Sequence, residues 1–544
     1  MKRIATEPKT LLTKAIALLL ATAVAFSAAG CAKRGGTDAD TPSVTPPASG
    51  PLPVTLTVTY AIETELEGET CIDRIRPVLA VPEETALLCP ALPAAIEEWN
   101  RRTEAELRKM TPKPAEDGNG PVTLRATAFL AASDTADVTV VLKTETAAGG
   151  GAPEPLYSAV IVDPANGTVK DYSDIVPDEK TREAAIRDLL ASAEKTGVQD
   201  RLIRDAANEA ALETIAGLTL HERVCQLFIV LPQHLSGSLT SYGDDLVQGL
   251  REYPVGGVLF VTNNIRDAEN TLNMTRVIKE QSKILPFLSV DEEGGRVARL
   301  SGKPNTVKLE PMYSYRNEGS GVAYENARRL AYNLHAYGFN LDFAPVADVW
   351  SNPVNTVIGD RAYSDDPEKA AELVAAAVRG FRDAGVFCCI KHFPGHGDTA
   401  EDSHTGAATV TKTLEELRAA EFLPFESGID AGVDMVMIGH LSCPEIDDVP
   451  ASVSKRIVTG ILREELGYDG VVLTDSLHMG AVAATDPAEL SLAAFEAGSD
   501  ILLSSDDFKA SIEAFKKALR NGTLSTDRLN ESLVRILRLK QRIQ

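Results

Sequence analysis

Lys391-His392-Phe393-Pro394-Gly395-His396-Gly397-Asp398, continued by Asp402-Ser403-His404, gathers three of the chain's eight histidines with two aspartates and a lysine. Pro394, Gly395 and Gly397 forbid a helix, so these residues form a loop after the apolar run 385–390. Three chemistries fit such a cluster. The first is a polar loop whose histidines satisfy backbone groups. The second is a metal site drawn from His392, His396, Asp398 and His404. The spacing does not set two imidazoles one helical turn apart, and no cysteine pair joins them. The third is acid/base catalysis by Asp402 and His404, in which a carboxylate fixes the tautomer of an imidazole and raises its pKa.

A loop of this kind needs a scaffold that delivers ionisable groups to one rim. From Leu218 onward, short apolar runs alternate with segments of helical period. The runs are Cys225–Leu231, Gly257–Thr262, Pro286–Asp291, Phe339–Ala344, Val386–Lys391, Asp434–Gly439, Val471–Asp475 and Asp500–Ser504. Eight strand-then-helix units predict an α/β fold, a (β/α)8 TIM-type barrel over 218–544. A doubly wound open sheet is the competing topology, but its Gly-rich nucleotide fingerprint is absent. Asp291-Glu292-Glu293, Asp348, Asp360-Arg361, Lys391-His392, His440 and Asp475 all fall at or beyond the carboxyl ends of these runs, where barrel enzymes assemble their sites.

The loop sequence, with Asp291-Glu-Glu-Gly-Gly-Arg-Val, Asn340-Leu-Asp-Phe-Ala-Pro-Val-Ala-Asp348, Val357-Ile-Gly-Asp-Arg361 and Thr474-Asp-Ser-Leu-His-Met479, resembles family 3 glycoside hydrolases of the β-N-acetylglucosaminidase type. The resemblance covers about residues 215–544. It implies that Asp475 is the nucleophile of a retaining hydrolysis and that His404, oriented by Asp402, is the acid/base. It also implies that Asp291, Arg361, Lys391 and His392 hold the sugar, with no metal and no organic cofactor. Arg296 and Asp348 read as rim ion pairs, His396 as a loop support and His440 as a sugar contact. Two local departures are Glu292, where the family more often has glutamine or histidine, and His478.

The rest of the chain places this domain in a cell envelope. Lys2, Arg3, Lys9 and Lys14 precede the apolar stretch 15–29, as in a signal peptide over 1–30. Ala28-Ala29-Gly30-Cys31 resembles a bacterial lipobox, which implies lipidation of Cys31 and a membrane anchor facing away from the cytoplasm. Residues 31–52 read as a solvated tether. Residues 53–178 read as a smaller α+β domain with strands near 53–60, 122–130, 136–146 and 156–162 and a helix over 94–109. Residues 179–217 read as a helical connector. Cys71 and Cys89 are positioned in sequence to pair outside the cell, or to remain thiols.

A formal net charge of −24 disfavours nucleic acid and anionic lipid surfaces as partners. The leading expectation is therefore a carbohydrate-active enzyme: a retaining exo-β-N-acetylglucosaminidase acting on cell-wall-derived, GlcNAc-containing glycans. The alternatives are a β-GlcNAc or β-glucoside phosphorylase on the same site, or a non-catalytic wall-binding lipoprotein.

Overall fold

Alternating burial along extended segments builds the first of two units, which comprises the described residues within 54–61, 74–110 and 123–206. The second comprises the described residues within 62–73 and 207–543, with Val122. The computed structural model describes residues 54–110, 122–133, 138–147, 156–175, 177–196, 198–400, 408–479, 486–505 and 507–543. The signal segment 1–30, Cys31, the tether, Asp402 and His404 all lie outside the described residues.

A seven-stranded sheet has the order β6-β5-β4-β3-β2-β1-β7. Its strands are β1 (Leu56–Glu67), β2 (Thr70–Ala80), β3 (Val122–Ser133), β4 (Val138–Ala147), β5 (Leu156–Val162), β6 (Val169–Asp171) and β7 (Leu202–Arg204). Helix α1 (Leu92–Lys109) buries Ile96, Trp99, Thr103 and Leu107, an i, i+3, i+7, i+11 stripe. The β5–β6 turn is closed by Asp163, whose side chain accepts from Ala165 N at 2.9 Å, and by Gly167 at φ +74.

Several elements of this unit lie beyond the expected strands. β2 carries Asp73, Arg74, Arg76 and Pro77, a loop-like composition, yet Cys71, Ile72, Ile75 and Leu79 are buried. The stretch read as a connector holds helix α2 (Glu179–Thr196), whose Ala185 and Ile186 pack with Val141, Ala159 and Tyr172. It also holds β7, which pairs in parallel with β1. Cys71 and Cys89 are separate buried thiols, and burial pushes the Cys71 thiol up to about 11.

In the second unit, eight strands run parallel in the order β18-β16-β14-β13-β10-β9-β8-β19. They are β8 (Phe228–Val230), β9 (Gly257–Leu259), β10 (Phe287–Val290), β13 (Leu341–Asp342), β14 (Phe387–Phe393), β16 (Met435–Ile438), β18 (Val471–Thr474) and β19 (Leu502–Leu503). β19 pairs with β8, and a bridge from Leu473 to Ile501 joins β18 to the β19 segment, closing the barrel. Every residue of these strands is buried, so they read as apolar runs rather than alternations.

Amphipathic helices cover the strands, among them α3 (Ser320–Ala336) and α4 (Pro367–Asp383), both with extensive buried faces. Asp366 caps α4 through Lys369 N, and Pro367 occupies its first turn, where the missing N–H costs nothing. The stretch 414–431 forms two helices, Leu414–Ala419 and Phe422–Asp430, broken at Ala420. Two short ribbons decorate the rim: β11 (Glu292–Gly294) with β12 (Val297–Ala298), and β15 (Ala408–Thr409) with β17 (Leu441–Ser442).

Candidate active site

The carboxyl ends of β10, β13, β14, β16 and β18 carry or adjoin a cluster of largely buried charged residues. Asp291 follows β10 directly, and β11 carries Glu293 two residues on. In an extended segment those two side chains face one way and Glu292 the other. Lys391, inside β14, meets both: its Nζ donates to Asp291 Oδ1 and Glu293 Oε1, each at 2.7 Å. Arg361 closes the cluster with a fork on Glu293, Nε to Oε2 at 2.8 Å and Nη2 to Oε1 at 2.9 Å. Its Nη1 donates to Val357 O at 3.0 Å.

Burial sorts these residues. The Lys391 and Glu293 side chains are each 3% exposed and Arg361 is 10% exposed, whereas Asp291 keeps 20%. Asp291 is thus the member most open to a ligand, and the other three form the charged floor behind it. Burial opposes the charge on each floor residue, but the opposite charges prevail. The Glu293 carboxyl lies far below the carboxylate range under Arg361 and Lys391. Lys391 and Arg361 are raised in turn by Asp291 and Glu293.

His392 and His396 are held from below by Asp348, which is fully buried. The His392 ring donates Nδ1–H to Asp348 Oδ2 at 2.7 Å, because a carboxylate only accepts. Asp348 Oδ1 takes the backbone N–H of His392 at 3.2 Å and of His396 at 2.7 Å. Asp348, expected in a rim ion pair, instead binds these histidines and sets the loop. Arg296 meets Asp360 at 3.7 Å and caps the carbonyls of Thr356 and Val357, each at 2.7 Å.

His396 supports the loop: Asn355 Nδ2 donates to its carbonyl at 2.7 Å, and its Nδ1 bonds Thr399 Oγ1 at 2.8 Å. Gly397 is required by close approach, since a Cβ there would stand 1.7 Å from Val349 O. The strand itself runs on through Phe393, two residues beyond the expected end.

Asp475 is half-buried at the end of β18. Its backbone N–H donates to Ile438 O at 2.8 Å, and its Oδ1 accepts from Ser476 N at 2.7 Å. Burial alone would raise its carboxyl. The imidazoles of His392 and His440, the Ser476 N–H and the Lys391 ammonium outweigh that and bring it below the usual range. Burial pushes the His440 imidazole down from its ordinary value.

His440, expected as a sugar contact, has both ring nitrogens engaged: Nε2–H donates to Ser476 O at 3.0 Å and Nδ1 bonds Ser452 Oγ at 2.7 Å. It braces the turn after Asp475. His478 is exposed on that same turn.

Asp291, Arg361 and Lys391 therefore come together through Glu293, a residue the motif reading passed over. Its signal was the two-residue alternation from Asp291. His392 and Asp475 are coupled electrostatically across the same rim. An ionised carboxylate beside fixed imidazoles and a charged, polar clamp can attack an electrophilic carbon and grip hydroxyl groups.

Residues 219–539 match the family model "Glycosyl hydrolase family 3 N terminal domain". Beta-hexosaminidase A of Pseudoalteromonas piscicida is 33% identical over 337 residues, covering 56% of each chain. A beta-hexosaminidase of Stenotrophomonas maltophilia is 36% identical over 261 residues, covering 47% of this chain and 77% of its own. A solved family 3 beta-N-acetylglucosaminidase of Paenibacillus sp. superimposes with a TM-score of 0.56 at 38% identity, over 60% of this chain and 62% of that one. The chain thus spans little more than half of the first of these relatives and under two thirds of the solved structure.

Proposed function

The chain belongs to glycosyl hydrolase family 3, and from that premise we propose that it is a retaining exo-β-N-acetylglucosaminidase. The observation that carries the reading is Asp475, a half-buried carboxylate at a barrel strand's carboxyl end, kept ionised by its surroundings. A nucleophile must be in that state to act. In the first step Asp475 attacks the anomeric carbon and forms a glycosyl-aspartate. The departing glycosidic oxygen takes a proton from His404, which Asp402 orients. In the second step His404 removes a proton from water, whose oxygen displaces Asp475 and leaves the sugar with retained configuration. Asp291, backed by Lys391, Arg361 and Glu293, grips the ring hydroxyls, and His392 lines the same rim.

The substrate in this reading is a terminal β-GlcNAc on cell-wall-derived glycan, met by an enzyme tethered to the envelope membrane through lipidated Cys31. The names of the relatives support the sugar, and the layout of residues 1–31 supports the anchor.

The test is hydrolysis of a nitrophenyl β-GlcNAc beside its β-glucose analogue, with products analysed with and without phosphate. Preference for the GlcNAc substrate and free GlcNAc as product in both buffers is expected. A sugar phosphate would overturn hydrolysis, and no turnover of either substrate would overturn the glycosidase reading. For the anchor, Cys31→Ser should move the protein from the membrane fraction to the soluble one, and unchanged retention would refute it.

A further inference from the structure

Asp398 and Lys412 stand on either side of Asp402 and His404 in the chain, and their side chains meet. Lys412 Nζ lies 3.5 Å from Asp398 Oδ1 and 3.4 Å from Ser351 Oγ, and it also pairs with Glu421 Oε1. An ammonium has three N–H donors, and here three acceptors surround it. The Ser351 hydroxyl, with a single proton to give, is 3.3 Å from both Asp398 Oδ1 and Glu421 Oε1. Lys412 is therefore the group that joins the two acids. Neither acid has another ion pair among the described residues.

The Asp398 and Lys412 side chains are 24% and 23% exposed, and a pair so open to water is worth little by itself. Glu421 changes the balance. Its side chain is fully buried, and a buried carboxylate is costly without a partner. It packs against Gly395, where a Cβ would stand 2.8 Å from its Cγ. Its Oε2 has no hydrogen-bond partner, so the contacts on Oε1 are what compensate its charge. Glu421 thus fixes Lys412, and Lys412 fixes Asp398.

Each flank is also tied to the barrel on its own. Asn352 Nδ2 donates to the carbonyls of Asp398 at 3.1 Å and Thr399 at 3.4 Å. On the far side β15 pairs with β17, and Val410 N donates to Ser442 O at 2.8 Å. Lys412 links one flank to the other.

We propose that Lys412 is a positioning residue for the acid/base. Clipped to Asp398 and seated on Glu421, it fixes the span across which residues 399–411 run, and through that span the reach of His404 to the departing oxygen. Pinning both ends of a segment removes most of its arrangements before substrate arrives. The effect on substrate rests on the reading of His404 as the acid/base; the clip itself does not.

Asp398→Asn removes the clip but leaves Lys412 on Glu421, whereas Lys412→Met removes both contacts. Peptide-level hydrogen exchange over 398–412 should quicken in both variants relative to the wild type. For methyl β-GlcNAc, a poor leaving group, kcat/KM should fall roughly 10- to 100-fold, the effect of displacing a general acid by about 1 Å. For nitrophenyl β-GlcNAc the fall should be smaller, because its oxygen leaves with little help from a proton. Lys412→Arg, which keeps the charge, should recover most of the loss on the methyl glycoside.

A merely structural lysine would lower both glycosides alike. That outcome would overturn the proposal, as would undiminished activity on both or unchanged exchange. If Lys412→Met strands the Glu421 charge and does not fold, Asp398→Asn and the neutral double variant Lys412→Met/Glu421→Gln carry the same test. If the wild type turns over neither glycoside, the glycosidase reading fails while exchange still decides the clip.

Discussion

Glu293→Gln is the sharpest perturbation of the clamp. The carboxylate is 3% exposed and touches two cations through three contacts of 2.7 to 2.9 Å. The amide keeps the shape but loses the charge, and its NH2 must face a donor. Lys391 retains Asp291 at 2.7 Å, whereas Arg361 retains only the Val357 carbonyl at 3.0 Å. The four-residue cluster passes from two charges of each sign to an uncompensated buried cation. Removing one partner of a buried pair costs about 3–5 kcal/mol. For a unit of this size that corresponds to a melting shift of roughly 4–7 °C.

Urea and thermal unfolding would measure the loss, and a chromogenic β-GlcNAc assay would report a raised KM as Asp291 loses its fixed neighbour. Adding Lys391→Met restores local neutrality, so the double variant should be more stable than the sum of the single losses by at least ~1 kcal/mol. The Glu293 carboxyl is held low, so its contribution is complete above the unfolded pKa near 4.5 and disappears as pH falls further. The gap between wild type and Glu293→Gln should therefore stay level from pH 5 to 8 and narrow on acidification. A loss below ~1 kcal/mol, or additive single and double variants, would refute the account of the floor as a mutually dependent charge cluster.

Other substitutions separate the remaining roles. Asp475→Ala should abolish turnover without unfolding the chain, checked by activity beside circular dichroism. His404→Ala should lose ~100-fold or more on glycosides with poor leaving groups but less on a nitrophenyl glycoside. Equal loss on both would assign His404 to binding or folding. Asp348→Asn keeps acceptors for the two backbone N–H groups but faces His392 Nδ1 with an amide. A charge-assisted bond worth about 1.5–3 kcal/mol is then lost, and kcat/KM should fall by roughly 10- to 100-fold.

The barrel was legible because each strand is a short apolar run with a polar residue beyond it, and that regularity also located Asp291, Lys391, His392 and Asp475 on one rim. What escaped was information that exists only between elements. Glu293 sits in a motif that drew attention to its neighbour, and its role depends on Arg361, 68 residues away. Asp348 looked like one half of an ion pair, yet its partners are two imidazole-bearing residues of the next strand and loop. β2 was hidden by its charged residues and a proline, because composition does not show that Asp73 is fully buried.

Barrel closure has a consequence for the order in which the protein comes into being. The seam pairs Phe228 with Leu502 and Ile229 with Leu503, partners 274 positions apart. A growing chain displays the free edge of β8 from the moment that strand emerges, and it covers that edge only after β19 has been made. Such an interval invites mispairing with other chains. Synthesis rate and chaperone occupancy should therefore govern the yield of folded protein more than changes in the rim residues do.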